Sequence, residues 1–494
     1  MGQMDTYRML IDGQWVDAEG DRRFDSINPA DGSAWASIPD ASEADVNRAV
    51  EAAQRAFSEG PWSNTTATAR GKALRRLGDL LAEKSAALGK IETVDTGKLY
   101  KETRWQAGYV ADYFHYYAGL ADKVHGETLP IDKPDLMVFT TREPLGVIAA
   151  VVPWNSQLFL VAVKLAPALA AGNTVVLKAS EHASAAMLEF GKAIEEAEFP
   201  PGVVNIISGQ GEPCGRALTA HPGISRISFT GGPETARHIV RNSAENLAEI
   251  SLELGGKSPV IVFDDADLES AANGVVAGIF GASGQSCVAG SRLYLHENIA
   301  DRFLARLVET AKDIRIGDPL DEETQMGPLA TEAQLLRIEE EIAIAKEQGA
   351  TIAAGGRRPP ERKRGWFFEP TIIECSDQKN RIVDTELFGP VLTVLRFQTE
   401  AEAVALANDT QYGLATGIFT RDTARALRVT KAIRAGIVWV NTYRVVSPLA
   451  EFGGFKNSGY GRESGRQAIY DYTRSKTVWL NTSSEPIANP FVMR

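Results

Sequence analysis

Apolar residues along this chain recur with two different periods. They return every three or four positions, as in amphipathic helices, over 43–57, 69–88, 158–170, 183–198 and 233–246. Short continuous apolar runs bounded by turn residues lie at 146–152, 173–177, 203–207, 227–229 and 259–262. Runs of this kind, alternating with helices, are typical of a parallel sheet buried on both faces, so the pattern predicts an α/β fold.

A second alternation of the same kind begins after Gly256. Helices are expected near 299–314 and 331–348, and strands near 292–295, 392–397 and 437–440. Two α/β units in tandem favour a cleft between them, which is a common place for a substrate. The segments 133–141 and 473–480 belong to neither unit, and each looks like a strand, so the two could pair as a small extension.

The charge balance and the cysteine content narrow the class of protein. With 52 Lys and Arg against 64 Asp and Glu, the net charge is −12, which disfavours nucleic acid and anionic membranes as partners. The longest apolar stretches fall short of the roughly 18–20 residues that span a bilayer, so we expect a soluble protein. The three cysteines show no paired spacing and the six histidines are scattered. We therefore expect no disulfide framework and no metal site. The sparse cysteines also predict a reducing, cytoplasmic location.

The segment from Gly281 to Gly290 places Cys287 among small residues, between an apolar helix at 271–280 and a strand. Glycine permits a tight backbone turn there and lets the sulfur and its own backbone N–H approach a ligand. A thiolate in such a place is a nucleophile, and its N–H can stabilise an oxyanion. A small buried core cysteine explains the local pattern equally well.

Two polar residues stand in or beside apolar runs. Glu253 lies within a run that two glycines follow, where burial would raise its pKa towards neutrality and suit it to general-base catalysis; an exposed position on an alternating strand is the alternative. Asn155 ends another run, where its amide would either donate to an oxyanion or cap the next helix. The triplet Gly256-Lys257-Ser258 does not end a P-loop, because position 251 is Ser rather than Gly.

Three strand ends carry residues suited to a nucleotide, which binds at the carboxyl ends of the strands in a doubly wound sheet. Lys178 and Glu181 follow the run 173–177 and could bind ribose hydroxyls. Gly211 and Gly215 follow the next run, at a spacing one residue longer than the dinucleotide fingerprint. The segment 229–234 follows a third run and opens a helix, where glycines beside the helix N-terminus favour a phosphate.

Taken in order, these segments resemble the aldehyde dehydrogenase superfamily over nearly the whole chain. Seven motifs in register form a far more specific signal than any one of them. They are Pro153-Trp154-Asn155, Lys178-Ala179-Ser180-Glu181, Phe229-Thr230-Gly231-Gly232, Leu252 to Ser258, Gly284-Gln285-Ser286-Cys287, Glu386 to Pro390 and Phe452 to Gly459.

The resemblance implies a catalytic role for each matching residue. Cys287 is expected to attack an aldehyde and form a thiohemiacetal, whose oxyanion the Asn155 amide and the Cys287 backbone N–H would hold. Glu253 is expected to activate the water that hydrolyses the resulting thioester to a carboxylic acid. Lys164 and Glu463 match a pair thought to relay protons away from this base. The alternatives are an acylating, coenzyme A-dependent relative, a non-enzymatic descendant of the fold and a cysteine hydrolase.

The resemblance also implies a nicotinamide cofactor. Lys178 and Glu181 match a pair on the adenosine ribose, and Glu386 with Phe388 matches the nicotinamide-ribose side. Because a carboxylate at Glu181 would repel a 2′-phosphate, NAD is favoured and NADP is the alternative. The other expected cofactor contacts are Trp154, Gly211, Gly215, Thr230, Gly231, Gly232 and Leu254.

By the same resemblance the fold has three parts. A Rossmann-like cofactor domain takes residues 1–121 and 145–255, and an α/β catalytic domain takes 256–471. A small β extension takes 122–144 and 472–494, and it implies a homodimer or a homotetramer.

Three positions depart from the family pattern. Gly232 stands where many relatives carry a serine that contacts a phosphate, and Ser156 and Gln157 stand where an aromatic residue and a proline are frequent. The last two changes favour a roomier or more polar wall to the aldehyde tunnel. Arg444, in a loop expected at the tunnel mouth, would draw in an aldehyde that bears a carboxylate, unless it is a surface arginine facing solvent. The expected tunnel residues are Ser156, Phe159, Leu160, Val288 and Arg444.

Overall fold

The computed structural model describes residues 4–487 and 489–492, so the last part of the expected extension, residues 488, 493 and 494, lies outside the described residues. In the described part, helices α1 to α14 are Glu43–Ser58, Ala67–Thr96, Tyr100–Leu120, Gln157–Ala171, Ala185–Glu196, Arg216–Ala220, Pro233–Asn242, Leu268–Ile279, Glu297–Asp313, Glu332–Glu347, Arg381–Asp384, Glu400–Asn408, Thr423–Ala432 and Gln467–Asp471. Strands β1 to β21 are Asp5–Thr6, Met9–Ile11, Gln14–Val16, Arg23–Asn28, Ser33–Pro39, Thr128–Leu129, Leu136–Pro144, Val147–Val151, Thr174–Lys178, Val204–Ile207, Ile224–Gly231, Glu249–Leu254, Pro259–Val262, Arg292–His296, Thr351–Ala354, Thr371–Glu374, Val391–Phe397, Ala415–Phe419, Ile437–Val440, Gly459–Tyr460 and Thr473–Asn481.

The larger sheet has the strand order β20-β12-β11-β8-β9-β10-β2-β3. Its central strands, from β12 to β10, run parallel, and short antiparallel strands flank them. β8, β9 and β10 are mostly apolar and buried, because helices cover both faces of the sheet. Helices α2 to α5 contribute to the core on one face, and α1, α6 and α7 contribute on the other.

The order of the strands creates a switch point beside β8. From β8 the chain proceeds through β9 to β10 on one side, and then crosses to β11 and β12 on the other. Connections that leave in opposite directions open a crevice at the carboxyl ends, which is the usual ligand site in such a sheet. Val151 pairs with both Phe229 and Lys178, so the segments that follow β8, β11 and β9 start side by side.

The second sheet has the order β15-β16-β17-β14-β13-β18-β19, in which only β15 is antiparallel to its neighbour. Helices α8 and α9 pack on one face, and α10 to α13 pack on the other. The α/β fold class predicted from the alternating pattern is therefore confirmed.

A small three-stranded sheet, β21-β7-β6, lies apart from both units. β7 and β21 are antiparallel along their whole length, from Leu136 opposite Asn481 to Pro144 opposite Thr473. The two strand segments that were predicted to lie outside both units therefore do pair. Trp479 is 61% exposed on this sheet, and Leu480 and Met137 are exposed nearby.

Helices α2 and α3 differ most from the sequence prediction, because α2 extends well beyond residue 88 and α3 was missed. The two helices pack closely against each other through glycines of α2. A Cβ on Gly71 would lie 2.7 Å from the Ala118 carbonyl, and one on Gly89 would lie 2.7 Å from the Arg104 backbone. Glycine weakens the local helical signal, but the close packing that it permits outweighs that propensity.

Residues 459–460 form a short strand at the edge of the larger sheet. Gly459–Tyr460 pairs with β12, so the chain returns to the larger sheet within the segment 256–471, which was expected to form the catalytic domain.

In residues 4–487 and 489–492, no helix is both long and apolar enough to cross a membrane. The same residues contain no group of three or more His, Cys, Asp or Glu side chains suited to a metal ion.

Candidate active site

A cavity of about 1000 Å³ opens at the carboxyl ends of β8, β11 and β12, and residues from both α/β units line it. Its volume is at the upper end of the range typical of ligand sites. Most of the residues expected to be functional meet in it: Trp154, Asn155, Ser156, Phe159, Leu160, Thr230, Gly231, Gly232, Glu253, Leu254, Cys287, Val288, Glu386, Phe388, Arg444 and Glu463.

The loop that carries Cys287 follows α8 and bends sharply. Ala282, Ser283 and Gly284 adopt left-handed backbone conformations in succession, with φ of 53°, 54° and 74°. A residue with a side chain costs about 1–2 kcal/mol in that region, so tertiary contacts must hold the turn. A Cβ on Gly284 would lie 2.0 Å from the Gly389 carbonyl, which explains why glycine is needed there.

Hydrogen bonds from distant segments fix this loop. The Ser283 hydroxyl donates to the Gly327 carbonyl at 2.8 Å, and the Gln285 side-chain oxygen accepts from the Ala330 backbone N–H at 2.8 Å. Both bonds are buried, so little water competes for them. Cys287 is therefore presented to the cavity on a rigid turn.

The Cys287 thiol lies in an electrostatic environment that disfavours its ionisation. Burial, followed by the carboxylates of Glu386 and Glu253, raises the pKa of Cys287 to about 12. The Asn155 amide reaches the same loop, where its Nδ2 donates to the Gln285 carbonyl at 3.1 Å. A strong amide donor thus lies close to the nucleophile's loop, as an oxyanion site requires.

Glu253 lies on β12, and only 4% of the residue is exposed. Neither of its carboxylate oxygens has a hydrogen-bond partner among the described residues. Burial, followed by the Glu463 carboxylate, raises the pKa of Glu253 well above its ordinary value. The alternative of an exposed residue on an alternating strand is wrong, and an unpaired buried carboxyl group is suited to exchanging a proton with water.

A buried ion pair lies close to Glu253. Lys164 is the one charged residue of the apolar helix α4, and it pairs with Glu463. Ser228 of β11 lies 3.2 Å from the Lys164 Nζ and 3.4 Å from the Glu463 carboxylate. Because Glu463 also lines the cavity, these groups form a continuous polar cluster that ends beside Glu253.

Glu386 reaches the cavity from the loop before β17. Its Oε1 accepts the Gly256 N–H at 3.0 Å, and a Cβ on Gly255 would lie 1.9 Å from its Oε2. Gly255 therefore makes room for this carboxylate and the Gly256 N–H binds it, and burial raises the pKa of Glu386 to about 7. Phe388 packs edge-to-face on Trp154, with ring centroids 5.4 Å apart.

Four expected cofactor residues lie at the same edge of the sheet but outside the cavity lining. Lys178 ends β9; its Nζ donates to the Ala179 carbonyl at 2.9 Å and lies 3.4 Å from the Glu181 carboxylate. A Cβ on Gly215 would lie 3.6 Å from the Lys178 side chain, whereas one on Gly211 would meet no atom within 4 Å. Gly215 thus lies beside the lysine, and the space at Gly211 is open.

The end of β11 offers a place for an anionic group. Gly232 precedes α7, and a Cβ there would meet no atom within 4 Å, so the space before this helix N-terminus is open. The Thr230 hydroxyl is buried and has no partner within the described residues. Free backbone N–H groups at a helix N-terminus favour a phosphate, so this segment fits the nucleotide predicted from the sequence.

The outer part of the cavity combines aromatic and charged groups. Phe159 packs edge-to-face on Tyr113, with ring centroids 5.2 Å apart. Arg444 lines the cavity and has a φ of 62°, and its Nη1 donates to the Ala277 carbonyl at 2.8 Å. Arg444 is therefore half-buried at the cavity rather than a fully solvated surface residue.

One wall of the cavity is provided by α3 and was not predicted from the sequence. Glu102 and Gln106 line the cavity from one face of this helix, as do Trp105 and Tyr109, whose rings stack at 5.1 Å. Both pairs have the i, i+4 spacing of helical neighbours. That spacing was the available signal, and it was overlooked because α3 was not predicted.

Comparison with known proteins identifies the family. The model of the aldehyde dehydrogenase family matches residues 15–478. The (Z)-2-((N-methylformamido)methylene)-5-hydroxybutyrolactone dehydrogenase of Acinetobacter baylyi is 56% identical over 492 residues, which cover 99% of this chain and 100% of that protein.

Solved structures agree with this match. A putative aldehyde dehydrogenase from Burkholderia cenocepacia is 44% identical, has a TM-score of 0.96 and covers 100% of both chains. Betaine aldehyde dehydrogenase from Staphylococcus aureus, solved in complex with NAD+, is 41% identical, also with a TM-score of 0.96, over 99% of this chain and 97% of that one. The chain belongs to the aldehyde dehydrogenase family.

Proposed function

We propose that the protein oxidises an aldehyde to a carboxylic acid with NAD, through a thiohemiacetal and then a thioester at Cys287 that Glu253-activated water hydrolyses. Oxidation of aldehydes is the chemistry of the family to which the chain belongs. The observation that carries the assignment of roles is that Cys287, Asn155 and Glu253 meet in one cavity.

The first step is attack of the Cys287 sulfur on the aldehyde carbon. Because the pKa of the thiol is about 12, the thiol carries its proton before the aldehyde binds and passes it to a water molecule as the S–C bond forms. The carbonyl oxygen becomes an oxyanion. The Asn155 Nδ2, which donates to a backbone carbonyl of the Cys287 loop, is the side-chain donor placed to receive it.

The last step is hydrolysis. Water attacks the thioester carbon, Glu253 takes a proton from that water, and the S–C bond breaks to release the acid and the Cys287 sulfur. The raised pKa of Glu253 makes it a stronger base than an ordinary carboxylate. From Glu253 the proton can pass to the ion pair of Lys164 and Glu463, because this pair belongs to the same buried polar cluster.

The residues at the strand ends fit a nicotinamide dinucleotide. Glu386 and Phe388 would hold its nicotinamide side, Lys178 and Glu181 would hold its adenosine ribose, and the open segment at Gly232 would take a phosphate. Bound there, NAD would supply a hydride acceptor for the thiohemiacetal carbon. The buried Thr230 hydroxyl beside this segment, which has no partner among the described residues, supports the fit.

Glu181 sets the preference for NAD over NADP. Burial opposes ionisation of this carboxyl group, but Lys178 beside it lowers the net pKa of Glu181, so it carries a negative charge at neutral pH. Glu181→Gln is expected to raise kcat/KM for NADP relative to NAD by about tenfold, because the repulsion of the 2′-phosphate is removed. Steady-state kinetics with both cofactors measure the ratio.

Glu212→Gln is the matched control for Glu181. Glu212 is an exposed carboxylate in the turn beside Gly215, where it pairs with Arg216 at 3.7 Å. It should leave the cofactor ratio within about twofold of the parent enzyme. An unchanged ratio in Glu181→Gln would show that another group selects the cofactor.

The substrate we propose is an aldehyde that also carries a carboxylate. The relative at 56% identity is named for a 5-hydroxybutyrolactone. Such a lactone is the ring-closed form of a 4-oxobutanoate, so its open form holds an aldehyde and a carboxylate in one molecule. Arg444 supplies a cation at the cavity that suits this second group.

Arg444→Ala is expected to raise KM for 4-oxobutanoate several-fold and to leave KM for butanal nearly unchanged, because only the first aldehyde carries a charge. A loss of about 1 kcal/mol corresponds to about fivefold in KM. Steady-state NADH formation with both aldehydes measures the two KM values. Equal changes for both aldehydes would show that Arg444 does not select for the carboxylate.

An acylating, coenzyme A-dependent reaction fits the structure less well. A thiol acceptor needs no water-activating base, whereas Glu253 lies buried and unpaired at the cavity. Product analysis with and without coenzyme A distinguishes the two reactions. We expect the free acid in both cases.

We also propose how the protein assembles and in which compartment it lies. The exposed apolar side chains of the β21-β7-β6 sheet, Trp479 among them, favour a homodimer or a homotetramer through this extension. Three free cysteines and the absence of any cystine between them fit a reducing, cytoplasmic compartment.

A further inference from the structure

A buried lysine lies behind the wall of the cavity and outside the catalytic groups described above. Lys98, between α2 and α3, is 3% exposed. Its Nζ donates to the Gln106 side-chain oxygen at 2.5 Å and to the Ser156 hydroxyl oxygen at 2.9 Å. The Glu92 carboxylate lies 3.8 Å from the same nitrogen and supplies the counter-charge.

This arrangement orients two other donors. An ammonium group has hydrogens but no acceptor site, so the oxygens of Ser156 and Gln106 act as acceptors towards Lys98. The Ser156 hydroxyl hydrogen and the Gln106 amide hydrogens must then point elsewhere. Both residues line the cavity, and in the described part of the chain neither group donates to a protein acceptor.

The charges around these donors favour a ligand that accepts hydrogen bonds. Lys98, Lys101 and Arg444 provide three cations at this end of the cavity, against the two carboxylates of Glu92 and Glu102. Lys101 already donates to the backbone carbonyls of 322 and 324. The donors left free for a ligand are therefore those that Lys98 orients, beside the remaining N–H groups of Arg444.

We propose that Ser156 and Gln106, oriented by Lys98, form the subsite that binds the carboxylate of the substrate while Cys287 attacks its aldehyde. The inference rests on the proposed function and adds the place where the second group binds. Arg444 attracts the anion to the cavity, and the pair of donors holds it in a fixed position. Hydrogen bonds from two neutral donors to a carboxylate are charge-assisted, which makes each of them stronger than a neutral one.

The test compares KM for 4-oxobutanoate and for butanal in Ser156→Ala. KM for 4-oxobutanoate is expected to rise about tenfold, the loss typical of one hydrogen bond to a charged group, while KM for butanal and kcat for both stay within about twofold. Ser156→Thr keeps a hydroxyl and should restore most of the selectivity. Gln106→Met removes the second donor together with one acceptor of the Lys98 ammonium, and it should shift the ratio in the same direction.

Lys101→Met is the matched control, since it removes from the same cavity a cation that already uses two of its three hydrogens on backbone carbonyls. It should leave the ratio of the two KM values unchanged. An unchanged ratio in both Ser156→Ala and Gln106→Met, or an equal shift in Lys101→Met, would overturn the subsite. If the parent enzyme formed no NADH from 4-oxobutanoate and none from butanal, the proposed function would be overturned instead.

Discussion

Cys287→Ala is expected to lower kcat for aldehyde oxidation by at least about 10⁴-fold, because Cys287 supplies the one thiol among the described residues that line the cavity. The protein should remain folded, since alanine removes only the sulfur from a loop that Ser283 and Gln285 hold by other hydrogen bonds. Steady-state NADH formation measures the loss. Titration of NAD binding and circular dichroism check that the variant is intact.

Cys375→Ala is the control for Cys287. Cys375 is a buried core cysteine of the second unit and lies outside the cavity lining. It should keep kcat within about twofold and lose only the modest stability expected of a small core truncation. Full activity in Cys287→Ala would show that the reaction does not pass through this sulfur.

Glu253→Gln is expected to separate the two halves of the reaction. Oxidation at Cys287 should still proceed once per active site, but hydrolysis of the thioester should slow by about 10²–10⁴-fold, because the amide cannot take a proton from water. Rapid mixing of enzyme, NAD and aldehyde should therefore show a burst of one NADH per site and almost no steady-state rate.

The pH profile of the parent enzyme follows from the same group. Glu253 acts as a base only when it is ionised, and its pKa is raised. The rate of hydrolysis should therefore rise with pH as this carboxyl group ionises, at a higher pH than an ordinary glutamate would require, and should fall as the group is protonated. Glu249→Gln, at the exposed start of the same strand, is the control and should change neither the burst nor the profile.

The sequence carried enough information to predict the class of fold and most of the cavity. The apolar runs that became β8, β9 and β10 are short, continuous and bounded by turn residues, because both faces of the sheet are covered. Since parallel strands place their carboxyl ends at one edge, the polar residues that follow those runs could be predicted to lie together.

The role of Cys287 shows what local sequence leaves open. A cysteine among small residues fits a core position as well as a nucleophile, and only the ordered motifs favoured the second interpretation. The turn depends on contacts with Gly327 and Ala330, which are distant along the chain, and no local pattern reports such contacts.

The buried polar groups were harder to foresee. Lys98 follows a glycine after a long helix and looks like an ordinary surface residue in the sequence. Its partners lie on two other segments, Gln106 on α3 and Ser156 after β8. A charge that is buried and paired through tertiary contacts leaves no periodic signal, so the structure was needed to place it.

Covalent catalysis by Cys287 is tested most directly by the mass of the peptide that contains it, after Glu253→Gln has reacted with NAD and 4-oxobutanoate. This peptide is expected to gain the mass of the acyl group, in proportion to the NADH formed, while the peptides with Cys214 and Cys375 remain unchanged. NADH formed in a full burst without an acyl group on Cys287 would contradict covalent catalysis by this residue.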